Sequence, residues 1–428
     1  MISSEVLNRK KQPPIFEVEH IHLPKYEVFY LDNQIPVYVE NLASQDIVKV
    51  EVVFHAGRPF EKNPLASRAT VSLIKDGTST MNSAEIAEKI DYYGGTLSTP
   101  FTLDTSSVVL QSLNKYFEEL MPLLSEIIQD ATFPEKEIET FVENNIQGLQ
   151  VDLSKGEMVA YREISEKIFG TNHPYGYNSN EQLYRAITQN MLLQHYQDNF
   201  NAANCCIFVS GKIKDSMLQT LNRELGQMRK GVKNIYQVPE VLTTPEHFFI
   251  EKKESSQTAI KIGRGMFDRK HPDYTAFYAL NTVLGGYFGS RLMTNIREEK
   301  GFTYNIYSTI DPMHYDGYFY VATEVGNEYI KPTIAEIYKE IEILQNDLIS
   351  KSELKMVKNY LLGNILTMID GPFNVAEIIK SYVIEDIDVN QFQHSIDILK
   401  NITAKQLRDL AQKYLKKEDL WQVIVGHQ

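Results

Sequence analysis

The sequence repeats one order of structural signals in its two halves. Residues 196–211 read YQDNFNAANCCIFVSG, and residues 414–426 read YLKKEDLWQVIVG. Each segment runs from a helix end through a polar turn into an apolar strand that ends at glycine. Gly211 and Gly426 lie 215 positions apart, about half of the 428-residue chain. A repeat of this length predicts two copies of one unit of roughly 200 residues.

The earlier part of each half follows one order of elements. Two helices precede two strands and a long helix, and glycines end several helices because glycine adopts the left-handed conformation without steric penalty. The predicted elements of the first half are helices at 65–75 and 84–92, strands at 96–98 and 106–111, and a helix at 115–128. Those of the second half are helices at 274–284 and 290–299, strands at 304–308 and 317–323, and a helix at 330–344.

The strands carry an alternating pattern. Over residues 48–55, apolar side chains at every second position alternate with a partly polar set, which is typical of an antiparallel sheet with one face covered by helices. The predicted fold class is α+β, with two homologous halves, each an antiparallel β-sheet with helices packed on one face. The predicted boundaries are a tail at 1–15, a first half at 16–227, a linker at 228–246 and a second half at 247–428.

Charge and cysteine content exclude several classes of protein. The net charge of −13 argues against a nucleic-acid partner, because phosphate binding needs a positive field. Cys205 and Cys206 are the only cysteines, which excludes a disulfide framework and a cysteine-rich zinc site, and we expect both to be buried in a strand. No apolar stretch is long enough to span a membrane. Residues 1–15 lack the apolar core of a signal peptide, so we expect a cytoplasmic location.

Two segments carry a family resemblance. They are GGYFGSRLMTNIREEKGFTYNIYS at 285–308 and GTNHPYGY at 170–177. Together with the duplicated element order, they make the chain resemble the pitrilysin/insulinase clan of zinc peptidases, in size its mitochondrial-processing-peptidase-like branch, over nearly its whole length. The resemblance implies a zinc site built by an inverted His-x-x-Glu-His motif on the first helix of the first half, with a third ligand, a glutamate, roughly 75 residues later.

This sequence departs from that zinc motif at every position. Two histidines four residues apart lie on one helical face and reach the metal, and the glutamate acts as general base. Here Arg68 stands in place of the first histidine, Val71 in place of the glutamate and Ser72 in place of the second histidine. The downstream segment 144–150 offers no carboxylate, and Glu143 beside it has no imidazole to join it. We therefore predict no metal ligand and no cofactor-binding residue in this chain, and the resemblance places the zinc in a partner subunit.

A second functional feature of the clan is retained. The resemblance places its substrate-binding arginine and tyrosine, from the second half, at Arg297 and Tyr304. Arg297 is predicted near a helix end and Tyr304 at the start of a strand, with Gly301 between them. These candidate catalytic residues would donate hydrogen bonds to the scissile carbonyl as it becomes an oxyanion. The structural alternative is an arginine that caps a helix and a tyrosine that packs in a core.

Weaker features have mainly structural interpretations. His20 and His22 are expected on one face of a strand, as packed or solvated side chains rather than a weak metal site. His173 is expected to pack a loop rather than bind metal. The glycines at 285–289 lack the strand and lysine of a phosphate loop and predict a packing turn. The strand at 96–98 is predicted at a sheet edge, where an extended peptide could add by main-chain hydrogen bonds.

These observations lead to one functional hypothesis and two alternatives. The chain is predicted to be the non-catalytic, substrate-binding subunit of a heterodimeric zinc metalloendopeptidase. A homologous subunit would carry His-x-x-Glu-His, and this chain would supply Arg297 and Tyr304 in trans to a shared peptide chamber. The first alternative is a catalytically dead scaffold or peptide-binding protein of the same fold, as in core subunits of respiratory complexes. The second is an enzyme with another mechanism, although no nucleophilic triad stands out.

Overall fold

The structure is a computed structural model that describes residues 18, 20–239, 241, 243–253 and 255–427. The tail predicted at 1–15 lies outside the described residues. The first half contains β1 (Glu27–Tyr30), β2 (Pro36–Glu40), β3 (Ile47–Phe54), α1 (Ala66–Leu73), α2 (Ser83–Tyr92), β4 (Thr96–Ser98), β5 (Ser106–Leu113), α3 (Phe117–Gln129), α4 (Glu135–Ser154), α5 (Gly156–Phe169), α6 (Glu181–Arg185), α7 (Gln189–Asn199), β6 (Cys205–Gly211) and α8 (Asp215–Leu225). The second half contains β7 (His247–Glu251), β8 (Gln257–Met266), α9 (Tyr274–Leu284), a π-helix (Met293–Glu299), β9 (Ile306–Pro312), β10 (Gly317–Gly326), α10 (Ile330–Asn346), α11 (Lys351–Met368), α12 (Pro372–Ile384), α13 (Gln391–Asn401), α14 (Ala404–Tyr414) and β11 (Trp421–Gly426).

The two halves build sheets of matching topology. The strand order is β1-β2-β6-β3-β5-β4 in the first sheet and β7-β11-β8-β10-β9 in the second. The second order repeats the first, with β1 as an added edge strand. Each sheet has one parallel pair, β2 with β6 and β7 with β11, and is otherwise antiparallel. The predicted α+β fold with two homologous halves is confirmed.

The core of the first half forms on one face of β3. Val48, Val50, Val52 and Phe54 are each at most 2% exposed and belong to one apolar cluster with side chains of α1, α3 and α7. Branched and aromatic side chains pack well on a pleated surface, which favours the strand. The alternation therefore sets which side chains face these helices, as the sequence predicted.

One helix from each half covers the outer face of the other half's sheet. α5 of the first half packs on β8, β10 and β11, where Ile164 and its neighbours share a cluster with Trp421. α12 of the second half packs on β6 and β2, where Ile379 shares a cluster with Cys206. α5 and α12 hold equivalent places in the two repeats, so the exchange is reciprocal. Both faces of each sheet are thus covered over part of their area, whereas the sequence predicted helices on one face only.

Several local predictions need correction. The helix expected at 290–299 is π-helical over Met293–Glu299. β9 begins at Ile306, so Tyr304 precedes the strand instead of starting it. The strand expected at His20 and His22 is wrong: both residues lie outside strands, and their rings stack with centroids 6.2 Å apart. Ile21 between them is buried, but in the described part of the chain this segment pairs with no strand of either sheet.

The connection between the halves is an extended segment. Between α8 and β7 the described residues form neither helix nor strand. The amide of Asn234 donates to the carbonyl of His55 at 2.9 Å and to Oδ1 of Asn199 at 2.7 Å, so this segment packs against the first half. The boundaries at 228–246 stay a prediction, since α5 and α12 cross between the halves.

In the part of the chain that the structure describes, no helix has the length and apolar character needed to cross a membrane.

Candidate functional site

The degenerate zinc position lies on α1, a helix packed into the core of the first half. Val71, in place of the general base, is fully buried among apolar side chains. Arg68, in place of the first histidine, is only partly buried. An arginine keeps its charged head at the protein surface or among polar groups, so it lies on the face of α1 that leaves the core.

Arg68 links α1 to two other helices through neutral side chains. One guanidinium nitrogen donates to the hydroxyl of Tyr184 at 2.9 Å, and the other donates to Oδ1 of Asn145 at 2.8 Å. The Nδ2 of Asn145 donates to the carbonyl of Phe141 at 2.8 Å, which orients Oδ1 toward Arg68. Asn145 lies 77 residues after Arg68, in the segment where the resemblance places the third zinc ligand. The structure therefore brings these two positions together, as they would be in a metal site. A direct hydrogen bond from Arg68 to Asn145 joins them.

The side chains at this position do not fit a zinc ion. Zinc in proteins is bound by thiolate, imidazole or carboxylate groups, whereas Arg68 offers a positive charge and only donors, and Val71 offers no polar atom. Ser72 and Asn145 supply weakly binding neutral oxygens. Among the described residues, no group of three histidine, cysteine, aspartate or glutamate side chains is arranged to hold a metal ion. No step of peptide hydrolysis can be assigned to a metal at this site.

Arg68 also lines a cavity of about 330 Å³. The lining comes from α1, α4, α5, the loop that follows α5 and the second half. It includes two further arginines, Arg58 and Arg162, and residues Met313 and Tyr318 of the second half. The cavity could not be predicted from the sequence because its residues come from separate segments with no common spacing. The segment GTNHPYGY at 170–177, which supports the family resemblance, forms part of its wall.

The predicted catalytic pair lies in the second half, outside this cavity. The Nε of Arg297 donates to the backbone carbonyl of Tyr304 at 2.9 Å, and its guanidinium carbon lies 4.8 Å from the ring centre of Phe288. Nη1 of Arg297 is 3.9 Å from a carboxylate oxygen of Glu298. The side chain of Tyr304 is 90% exposed. The structure thus places the two residues beside each other, with the phenol of Tyr304 in solvent.

The backbone that carries this pair is unusual. Arg297 lies in the last turn of the π-helix. This conformation is rare in proteins overall, and where it occurs it is often at a functional site. Gly301, with φ of +65°, then reverses the chain toward Tyr304. The π-helix is anchored by Asn295, whose Nδ2 donates to Oε2 of Glu336 at 3.0 Å and to Oε1 of Glu340 at 2.7 Å. The equivalent helix of the first half, α2, is α-helical and begins with a capping box formed by Asn82 and Glu85.

The edge strand predicted at 96–98 is confirmed. β4 is the last strand of the first sheet and, among the described residues, pairs only with β5. Shortly after this strand, the ring of Phe101 is 46% exposed, and its centre lies 5.6 Å from the guanidinium carbon of Arg68. The free edge and the Arg68 cavity are therefore close along the surface of the first half.

The remaining sequence candidates have structural roles. His173 is buried and stacks on Phe169 with ring centres 5.1 Å apart, and its Nδ1 accepts a hydrogen bond from the backbone of Tyr175 at 3.1 Å. A β-carbon on Gly285 would lie 2.5 Å from the backbone nitrogen of Ser308, as expected for a packing turn. Burial raises the pKa of the Cys206 thiol to about 12, so this buried cysteine is not a nucleophile at neutral pH.

Comparisons with known proteins give one consistent result. Residues 36–173 match the family described as insulinase (peptidase family M16), and residues 186–361 match the peptidase M16 inactive domain. The uncharacterized zinc protease YmxG of Bacillus subtilis is 24% identical over 300 residues, 69% of this chain and 72% of that protein. The non-peptidase homolog YmxG of Helicobacter pylori is 21% identical over 406 residues, 92% of each. A peptidase M16 inactive domain from Pseudomonas fluorescens superposes with a TM-score of 0.87 at 20% identity, over 95% of this chain and 99% of that one.

Proposed function

The chain belongs to peptidase family M16, as its sequence resemblance predicted, and on this basis we propose that it is a non-catalytic, substrate-binding subunit of a heterodimeric zinc metalloendopeptidase. A homologous subunit with the His-x-x-Glu-His motif would hold the zinc, and this chain would supply Arg297 and Tyr304 in trans. The observation that carries the proposal is a contrast within one chain. Arg68 fills the zinc position, whereas Arg297 and Tyr304 lie side by side, with Arg297 partly exposed and the phenol of Tyr304 in solvent.

The chemistry of the pair supports this role. Nε of Arg297 is held by the carbonyl of Tyr304, and the guanidinium stacks on Phe288, so its orientation is fixed while Nη2 stays available. Nη2 and the phenol of Tyr304 could donate to a substrate carbonyl as negative charge develops on its oxygen. Such donors are effective only where water is excluded. Because Tyr304 is 90% exposed in this chain alone, the role requires a second polypeptide to cover the pair.

The first test is Arg297→Ala in a reconstituted pair of subunits. We expect kcat for peptide cleavage to fall by about 10²-fold, as for a removed oxyanion donor, with unchanged assembly by size-exclusion chromatography. Tyr304→Phe removes only a solvent-exposed hydroxyl and should lower kcat without lowering stability.

A matched control is Arg223→Ala, an exposed arginine of α8 paired with Glu118 and Glu224, which should leave kcat unchanged. The isolated chain should cleave no peptide. Full activity of Arg297→Ala in the assembled pair would contradict the trans role, and zinc-dependent cleavage by the isolated chain would contradict the proposal as a whole.

The second candidate function is a scaffold or peptide-binding protein of the same fold. Two observations favour it. Arg68 stands in the zinc position and is hydrogen-bonded to Tyr184, and two relatives are named as a non-peptidase homolog and a probable inactive metalloprotease. A neighbouring gene for a similar-sized chain with the intact zinc motif would support the peptidase pair, and a native complex without peptidase activity would support the scaffold.

The expected cytoplasmic location is part of the proposal, and cell fractionation tests it. Peptides are its expected ligands, and neither nucleic acid nor a membrane is required.

A further inference from the structure

Three arginines converge on the cavity beside the degenerate zinc position, and each bonds only neutral acceptors. Arg68 donates to Tyr184 and Asn145, as described above. Nη1 of Arg58 donates to the backbone carbonyls of Pro174 at 3.2 Å and Tyr177 at 3.1 Å.

Arg162 also bonds only neutral groups. Its Nη1 lies 3.3 Å from Oγ of Ser179, and its Nη2 donates to the carbonyl of the same residue. Burial lowers the pKa of Arg162, and the nearby charge of Arg58 acts in the same direction, whereas Tyr184, Glu163 and Glu166 oppose it. The charges of the cluster therefore work against each other, as expected for cations gathered in one partly buried space.

Among the described residues, the cluster has carboxylates nearby but forms no close ion pair. In the described part of the chain, none of the three guanidinium groups has a carboxylate oxygen within 4 Å. Nearby carboxylates are committed elsewhere: Glu61 accepts hydrogen bonds from Ser67 and Tyr177, and Glu166 accepts from Asn178. Asp152 lines the cavity and lies 3.5 Å from Lys155. Among the described residues that line the cavity, three are cationic and Asp152 is anionic, while Glu61, Glu163 and Glu166 act on the arginines from nearby. A bound anion would relieve the repulsion between the arginines that remains.

Donor capacity remains unused in the cluster. Within the described residues, Nε of Arg58, Arg68 and Arg162 and Nη2 of Arg58 have no hydrogen-bond acceptor. A guanidinium presents its N–H groups as a planar fork that matches the two oxygens of a carboxylate. The unused donors and the excess charge are the two properties expected of a carboxylate site.

Part of the cavity suits a compact apolar or aromatic group, although polar side chains such as Asn144 and Ser165 also line it. Its wall includes Leu103, Met158 and Met313 together with the rings of Tyr161 and Tyr318. The volume of about 330 Å³ is at the lower end of the range for small-molecule sites, roughly 300–1,000 Å³. It therefore fits a single residue rather than a long segment. The free edge of β4 leads, through Phe101, to Arg68, so a peptide extended along this edge would end near the cavity.

We propose that this cavity binds the C-terminal residue of a peptide, with the carboxylate held by Arg58, Arg68 and Arg162 and the side chain against the apolar wall. The position that binds zinc in active relatives would thereby have become a carboxylate site. The inference concerns this chain alone and does not depend on a partner subunit or on Arg297 and Tyr304.

The test is calorimetric titration of the isolated full-length chain with matched ligands. The probes are acetyl-Ala-Ala-Phe with a free C-terminal carboxylate, the same peptide as its C-terminal amide, acetate and inorganic phosphate. We expect the free acid to bind at least about tenfold more tightly than the amide, acetate or phosphate, with weaker binding at high salt. Arg58→Gln and Arg162→Gln should each weaken binding of the acid by at least about tenfold and leave binding of the amide unchanged.

The controls separate charge from folding. Arg223→Gln, at an exposed arginine of α8, should bind the acid like the wild type. If circular dichroism shows that Arg162→Gln is not folded, Arg162→Lys replaces it in the test. This variant keeps the charge but loses the planar fork, and it should also bind the acid more weakly than the wild type. Equal affinity for acid and amide, or wild-type affinity in the Arg58 and Arg162 variants, would overturn the inference. Phosphate or acetate binding as tightly as the peptide acid would overturn a peptide C-terminus as the ligand.

Discussion

At the scale of single residues, His195 is a histidine whose neutral form is built into the fold. Its Nε2 donates to the carbonyl of Ala56 at 3.0 Å, and its Nδ1 accepts from Nδ2 of Asn199 at 3.1 Å. Oδ1 of Asn199 accepts from Asn234 at 2.7 Å, which fixes the direction of that amide. Burial lowers the pKa of His195 to about 4. Protonation would place a second N–H against the amide N–H of Asn199, so the ring resists taking up a proton.

This histidine makes stability depend on pH in a defined window. The unfolded chain binds a proton near the ordinary pKa of about 6.5, whereas the native chain does so only near 4, so stability is complete above about pH 6.5 and falls as the pH drops toward 4. The loss from this residue is about 3 kcal/mol in the free energy of unfolding. His55, whose pKa burial also lowers to about 4, adds a loss of the same sign.

Urea unfolding at neutral and acidic pH measures the effect. His195→Gln should show a smaller decrease in unfolding free energy between the two pH values than the wild type. His394→Gln, at an exposed histidine of α13, should leave the decrease unchanged. An identical decrease in the wild type and in His195→Gln would mean that this ring does not control the acid response.

At the scale of elements, an ionic ring joins α12 to the outer face of β3. Nζ of Lys49 lies 2.9 Å from Glu51 and 2.5 Å from Glu377, and Nζ of Lys380 lies 2.8 Å from Glu51 and 2.6 Å from Glu377. The side chain of Glu51 is only 3% exposed, so its charge depends on the two lysines. The four charges alternate in sign and hold an exchanged helix to the sheet of the other half.

Removing one lysine should weaken this contact. Lys380→Ala leaves Glu51 buried with a single cation, and we expect a loss of about 2–4 kcal/mol in unfolding free energy. Thermal and urea unfolding measure it. Lys62→Ala, which breaks an exposed pair with Asp198, should cost less than about 0.5 kcal/mol. A Lys380→Ala variant as stable as Lys62→Ala would show that apolar contacts alone hold α12 in place.

At the scale of the whole molecule, the exchange of α5 and α12 makes the two halves depend on each other. α5 contributes Ile164 and Ile168 to a core that includes Trp421 and Val423 of the second half. The opposite contact buries Val375 and Ile379 against the first sheet. Without the other half, each sheet would expose an apolar face, and each crossing helix would have nothing to pack on.

We therefore expect the chain to unfold as one unit. Calorimetry should show a single transition whose van't Hoff and calorimetric enthalpies agree. Fragments 1–227 and 228–428 expressed alone should bind a hydrophobic dye and lack cooperative unfolding, and mixing them should restore the transition. Two separate transitions in the intact chain, or a fragment that unfolds cooperatively by itself, would show that the halves are independent domains.

Local sequence signals determined the duplicated architecture. The alternation around Val50 fixed the core face of β3, Asn82 with Glu85 fixed the start of α2, and glycine at 211 and 426 marked the same point in both repeats. Helices, strands and caps depend on the order of side chains over a few residues, so one sequence suffices to find them. The loss of the zinc ligands at Arg68, Val71 and Ser72 was equally visible.

The tertiary structure alone decided what surrounds those positions. Arg58 and Arg162 reach Arg68 from separate segments, and α5 and α12 exchange sheets, because such contacts depend on packing between residues far apart in the chain. The π-helix before Gly301 and the exposure of Tyr304 were also beyond the sequence. A π-helical stretch of seven residues is too short for its side-chain period to be told from that of an α-helix, and exposure depends on what the rest of the fold covers. The family resemblance in the sequence identified the degenerate zinc position, and the fold showed that a cluster of arginines lies around it.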